Sequence, residues 1–145
     1  MRLQRNIWLA TVLLLLAPAS ARAANPTGLW LTADGEAKVR ISACGDALCG
    51  RIEWLKEPDD PDTHRPKLDK FNKDAVQRTR PVLGLEIISG MKPSGRPDEW
   101  RGSLYDPESG NTYTGLLAMR GPASMKLEGC ALAVFCRAET WKRTN

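Results

Sequence analysis

In this chain apolar residues recur at every second position, run after run, with turn-forming residues between the runs. Ala37-Lys38-Val39-Arg40-Ile41-Ser42 alternates apolar with polar, and Arg51-Ile52-Glu53-Trp54 resumes the pattern. Leu85-Glu86-Ile87 and Met125-Lys126-Leu127-Glu128 repeat it. Trp100, Gly102 and Leu104 share one face of their run, and Tyr113, Gly115, Leu117 and Met119 share another. A period of two belongs to half-buried strands, because successive side chains of a strand point to opposite faces. Turn chemistry separates the runs: Ala33-Asp34-Gly35-Glu36, Lys92 to Pro97, Asp106-Pro107-Glu108-Ser109-Gly110-Asn111 and Gly121-Pro122. The pattern predicts strands over 28–31, 37–42, 51–55, 84–89, 100–105, 112–119, 124–129 and 136–142. Most are joined by short loops. Eight sequential antiparallel strands form a meander, and such a meander closes into an up-and-down β-barrel. The fold class expected is all-β.

The first 23 residues stand apart. Arg2 and Arg5 open a basic start, Ile7 to Ala17 is an uncharged apolar run, and Ala21-Arg22-Ala23 places small residues at the two positions a signal peptidase reads. That layout predicts a secretory signal peptide over 1–23 and a single β-barrel domain over 24–145. The apolar run is shorter than the roughly 20 residues a transmembrane helix needs. No later stretch approaches that length, so no transmembrane segment is expected in the mature chain. Ala24 would open it, and no cysteine follows there to carry a lipid anchor.

Removing the leader changes the charge. Three of the 21 Lys and Arg lie in it and none of the 17 acids does, so a net +4 becomes +1. A near-neutral chain offers no field for nucleic acid. All four cysteines lie in the mature part: Cys44, Cys49, Cys130 and Cys136. In an oxidising compartment an even count reads as two disulfides. Four cysteines allow three pairings, and spacing favours Cys44–Cys49 with Cys130–Cys136, each bracketing a short loop between strand-like runs. The gaps do not suit zinc, whose ligand pairs are closer and usually include His; His64 is remote. No metal site and no cofactor are expected.

Lys56 to Arg80 breaks the meander. It opens acidic, with Glu57, Asp59, Asp60 and Asp62, and ends basic, with Arg65, Lys67, Lys70, Lys73, Arg78 and Arg80. Asn72 to Arg80 has room for one or two helical turns. The segment reads as a solvated crossover or as a lid. His64, the sole histidine, has no nucleophile motif around it. Asp59-Asp60-Pro61-Asp62 lacks the glycine and the bidentate acid of a calcium loop. No catalytic residue is assigned, and an enzyme is not expected.

An eight-stranded barrel is just wide enough to be filled by side chains or to hold one small ligand. Alternation places Trp30, Val39, Ile41, Ile52, Trp54, Leu85, Ile87, Trp100, Leu104, Tyr113, Leu117, Met119, Met125 and Leu127 inside. If Trp141 also points inward, Arg137 and Glu139 follow, either as a pair that neutralises itself or as wet residues at the rim. The ligand-binding candidates are therefore Trp54, Trp100, Tyr113, Arg137 and Glu139.

Several groups of residues carry a resemblance. They are Gly28-Leu29-Trp30, the hairpin Cys44 to Ile52, Arg80-Pro81 with Gly84, and Trp100 to Pro107. Gly110, Tyr113, Gly129-Cys130, Cys136 and Trp141-Lys142-Arg143 complete the set. In these the chain resembles a bacterial family of small exported proteins catalogued as a domain of unknown function, similar in fold to lipocalins. Lipocalins carry Gly-x-Trp on the first strand and an Arg on the last strand that packs over the indole. The resemblance assigns a structural clasp to Gly28, Trp30 and Arg143, with Arg137 as the other candidate cation.

Together these readings lead to two functions. One is an exported, periplasmic or secreted, binding protein for a small apolar or amphiphilic molecule. The other is a structural or interaction protein whose filled barrel displays the 56–80 connection to an envelope partner.

Overall fold

The structure is a computed structural model and describes residues 24–145; the leader assigned to 1–23 lies outside the described residues. Eight strands close a barrel in sequence order: β1 (Gly28–Leu31), β2 (Ala37–Cys44), β3 (Ala47–Leu55), β4 (Glu86–Pro93), β5 (Glu99–Asp106), β6 (Asn111–Met119), β7 (Ser124–Ala131) and β8 (Phe135–Thr144). Every neighbour pairs antiparallel, and β8 returns to β1 through Leu29↔Thr144, Trp30↔Arg143 and Leu31↔Lys142. The up-and-down barrel read from the alternation is the fold observed. Strands run further into their hairpin tips than the apolar pattern indicates, as at β3, which begins at Ala47. Both disulfides join the expected partners, Cys44 to Cys49 and Cys130 to Cys136. Each closes a short loop, so chain entropy gives each only about 2 kcal/mol.

In a meander, alternate hairpins lie at alternate ends. One end collects Ala24–Thr27, the Cys44–Cys49 tip, the 94–98 and 120–123 turns and the C-terminus. The other collects the 32–36 turn, the 56–85 connection, the 107–110 turn and the Cys130–Cys136 tip. The core sits nearer the first end. Trp30, Val39, Ile41, Ile88, Met91, Leu117 and Met125 are fully buried there, joined by Ile52, Leu127 and Trp141.

Bulges on β3 and β4 correct the alternation, including one at Ile87, the extra residue between Gly50↔Ile88 and Arg51↔Glu86. On β3, Ile52 faces Val39 and Trp54 faces Lys38, so Glu53 is an extra residue. A bulge restarts the in–out phase. Trp54 therefore points outward, 41% exposed, beneath the Lys38 ammonium, and half-buried Leu55 packs on the core in its place. The bulge is held open outside by Arg40, whose guanidinium donates twice to Glu53. On β4, the register shifts between Ser89 and Lys92, at Gly90 with φ 60°. Ile88 and Met91, three apart, are both fully buried, whereas Ile87 is half-buried and Leu85 is buried ahead of the strand. The extra backbone bulk lies over Gly102, where a Cβ would come within 2.5 Å of the Ser89 carbonyl oxygen.

Candidate functional site

The two ends of the barrel are built differently. One is sealed. Trp30 is wholly buried, and its indole N–H donates to the Pro26 carbonyl at 2.8 Å. Arg143, its register partner on β8, lies with its guanidinium carbon 4.3 Å from the ring centroid. The same guanidinium donates to the carbonyls of Asn25, Thr27 and Pro122 at 2.6–2.7 Å. One planar cation thus ties the entry segment, the β6–β7 turn and the indole face together, a task that fits the fork of an arginine. Gly28 leaves room for it: a Cβ there would fall 2.5 Å from the Arg143 Nη1. Arg137, the other candidate cation, is exposed on β8 far from the indole. Ala24 is fixed at the same end, its nitrogen donating to Asp98 at 2.9 Å.

Toward the other end the inward side chains lose cover step by step. Leu117 and Met125 are fully buried, Leu104 and Tyr113 are half-buried, and Arg137, Glu139 and Phe135 are exposed. β6 and β7 carry Gly115 and Gly129 on the inner face at this level. Over Gly115 the space is taken by Leu104 and Met91, which a Cβ would meet at 2.6 and 2.8 Å. At Gly129 a Cβ would make ordinary contacts of 3.5 Å with Leu104 and Tyr113. The mouth is thus shallow, with an apolar floor of Leu104 and Tyr113 beside Gly129. The β7–β8 tip stands at its rim, with Leu132 86%, Val134 72% and Phe135 72% exposed. Leu132 and Ala133 both hold positive φ, which makes the tip a tight turn braced by the Cys130–Cys136 bridge.

The sequence candidates divide between these ends. Tyr113, Arg137 and Glu139 reach the mouth. Trp100 is at the sealed end, half-buried against the core opposite Leu117, because β5 starts there. Trp54 is outside the barrel. Arg137 and Glu139 do not pair with each other; Glu139 instead accepts the Trp141 indole N–H at 2.6 Å.

A polar cluster not found from the sequence fixes the 56–85 connection. Asp69 is fully buried and accepts from the Tyr105 hydroxyl at 2.5 Å, Asn72 Nδ2 at 2.8 Å and Arg80 Nε at 2.8 Å. Asn72 also donates to the Tyr105 oxygen, and the Arg80 guanidinium lies 5.7 Å from the Tyr105 ring centroid. Backbone bonds and the Leu68↔Pro81 bridge close the segment on itself. A 3₁₀ turn, Ala75–Thr79, is capped by Asp74. The segment is therefore pinned to β5 rather than free to move as a lid. The signal available in the sequence was Asp69, one of only two acids, with Asp74, amid the bases of Lys67 to Arg80.

Burial, and then the Asp69 carboxylate, hold the Tyr105 phenol above the usual tyrosine range. A raised folded-state value favours the neutral phenol. Its stabilisation is complete below the unfolded value of about 10 and is lost as pH rises past it. Only two tyrosines are present. Phenolate absorbance should show one late-ionising group that Tyr105→Phe removes. A wild-type curve with no late phenol would contradict the contact.

The remaining candidates serve local structure. Asp60 accepts the amides of Asp62 and Thr63 and pairs with Lys70, so the acidic run caps its own turn. His64 is exposed with φ 54°. Glu128, Cys130 and Cys136 cluster closely, but their sulfurs are bonded to each other and offer no thiolate to an ion.

Residues 28–143 match the family described as "Uncharacterized protein conserved in bacteria (DUF2147)". Among solved structures, protein HP1028 from the human pathogen Helicobacter pylori, described as belonging to the lipocalin family, matches with a TM-score of 0.69. It shares 19% identity and covers 84% of each chain. At that identity the likeness is one of fold. No curated protein matches the chain.

Proposed function

This chain belongs to the bacterial family DUF2147, and from that premise we propose an exported binding protein that holds a small apolar or amphiphilic molecule and does no chemistry on it. The observation that carries this reading is the one-sided loss of cover along the inner wall. The barrel is sealed by Trp30 and Arg143 and opens over Leu104 and Tyr113. A lipocalin-like barrel with one closed end takes its ligand through the other. The shallow floor favours a ligand that buries one apolar part and leaves the rest in water. Export is supported by the leader layout of residues 1–23 and by two disulfides on exposed hairpin tips.

The competing reading, a filled barrel that presents its connection to an envelope partner, is favoured by the packing of Leu104 and Met91 over Gly115. One titration separates the two. The amphiphilic dye 1-anilinonaphthalene-8-sulfonate should bind folded protein at a saturable site. Gly129→Val places methyl groups on the floor without backbone strain, and should weaken that binding at least tenfold while the melting temperature holds. Absence of saturable binding, or equal binding by the variant, would leave the interaction reading.

A further inference from the structure

Strand β8 has ten residues and β1 has four. β1 covers β8 only from Lys142 to Thr144. From there to the open end β8 is hydrogen-bonded on one side alone, to β7. The Arg143 amide donates to Ala123 on the β7 side. Backbone direction alternates along an antiparallel strand. The N–H and C=O of residues 141, 139 and 137 therefore also face β7, and those of Thr140, Ala138 and Cys136 face the other way. Among the described residues no strand stands there, and Phe135 to Thr140 are all exposed. Proteins usually guard such an edge with a bulge, a proline or charged side chains. This one has an unbroken register and small outer residues, Cys136, Ala138 and Thr140; the edge's only charges, Arg137 and Glu139, point inward and guard it against any strand that does not match them.

We infer that this edge pairs with the same edge of a second copy, antiparallel, about a two-fold axis at Ala138. That register is chosen by charge. It sets Arg137 across from Glu139 of the second copy and Glu139 across from Arg137, and sets Cys136 across from Thr140. Opposite charges directly across strands stabilise a pair, and like charges destabilise it. Here both ion pairs form from one self-complementary sequence, and neither residue has an ion-pair partner within its own chain among the described residues. An unrelated peptide would need a base and an acid in the same phase. Ala138, Thr140 and Cys136 of each copy supply the backbone bonds.

A second observation agrees. Leu31, Thr32, Ala33, Asp34, Gly35, Thr140 and Lys142 line a notch of about 180 Å³ where β1 gives out. In this register the apolar tip of the second copy, at Val134 and Phe135, arrives at that notch. Pairing would cover side chains now 72% exposed. The two-fold contact is isologous, so it closes at two copies and builds no filament. Its ion pairs lie at the rim of the mouth, Arg137 being paired with Gly129 across β7 and β8, but its backbone bonds are made on the free edge of β8 and do not depend on the ligand reading.

The test is sedimentation equilibrium of protein purified after expression of the full chain. A concentration-dependent dimer is expected. Ala138→Pro removes an amide that β7 does not use, so the barrel should keep its melting temperature while the dimer dissociation constant rises at least a hundredfold. Arg137→Glu alone should raise it at least tenfold, by setting acid against acid. The double reversal Arg137→Glu with Glu139→Arg should restore it to within about threefold of wild type. A wild-type protein that stays monomeric at millimolar concentration would overturn the inference. So would a dimer indifferent to Ala138→Pro, or one that the double reversal does not rescue.

Discussion

Trp30→Ala is expected to destabilise the protein by about 3–5 kcal/mol, the usual loss for truncating a buried large aromatic. For a chain of this size that lowers the melting temperature by about 10–20 °C. The position explains the magnitude. The indole is fully buried, spends its N–H on the Pro26 carbonyl and carries the Arg143 guanidinium on its face. Its removal opens a cavity at the sealed end and leaves Arg143 with carbonyl partners but no surface to lie on. Tyr113→Ala, at the half-buried floor of the mouth, loses fewer contacts and should cost about 1–2 kcal/mol. Thermal melts of the purified variants compare the two. Equal losses would mean that the interior is one continuous core with no open end.

Asp69→Ala is the second large effect, at about 2–3 kcal/mol. Breaking a buried ion pair commonly costs 3–5 kcal/mol because the surviving charge is stranded. Here Arg80 is partly open to water and can rehydrate, which reduces the penalty. The Tyr105 hydroxyl and the Asn72 amide also lose their shared acceptor, and each orphaned polar group adds to the cost. The consequence is local. The connection runs its backbone against the β5–β6 turn, where a Cβ on Gly110 would lie 1.9 Å from the Phe71 carbonyl oxygen. Releasing Asp69 should free that contact and expose residues 66–82 to amide exchange ahead of the barrel. Hydrogen exchange read by mass spectrometry measures it. Protection unchanged in the variant would show that the backbone bonds alone hold the segment.

What the sequence revealed follows from which interactions are local. The eight strands were legible because alternation is a property of neighbouring residues, and both hairpin disulfides because each pair is close in sequence. The pairing of Trp30 with Arg143 was reached through the Gly28-x-Trp30 resemblance, since nothing local joins residues so far apart. Phase was lost at the bulges of β3 and β4. One extra residue at Glu53 turned Trp54 out of the barrel, and the positive φ of Gly90 brought Ile88 and Met91 in together. Glu53 carries no bulge signal of its own, whereas Gly90, a glycine within a strand, does. Asp69 was hidden for another reason. Its partner Tyr105 is 36 positions away, and their approach depends on how the connection crosses to β5. Of the binding candidates, Trp100 was misplaced because alternation gives the face of a strand and not the end of the barrel.

The proposed function requires that one end of the barrel is sealed and that the other receives a ligand. Amide chemical shifts of the isotope-labelled protein, titrated with the same amphiphilic dye, test it most directly. Saturable shifts are expected at Leu104, Tyr113, Gly129 and Phe135, with Gly28, Trp30 and Arg143 unmoved. Shifts centred on Trp30 and Arg143, or on the outward-facing Trp54, would contradict it.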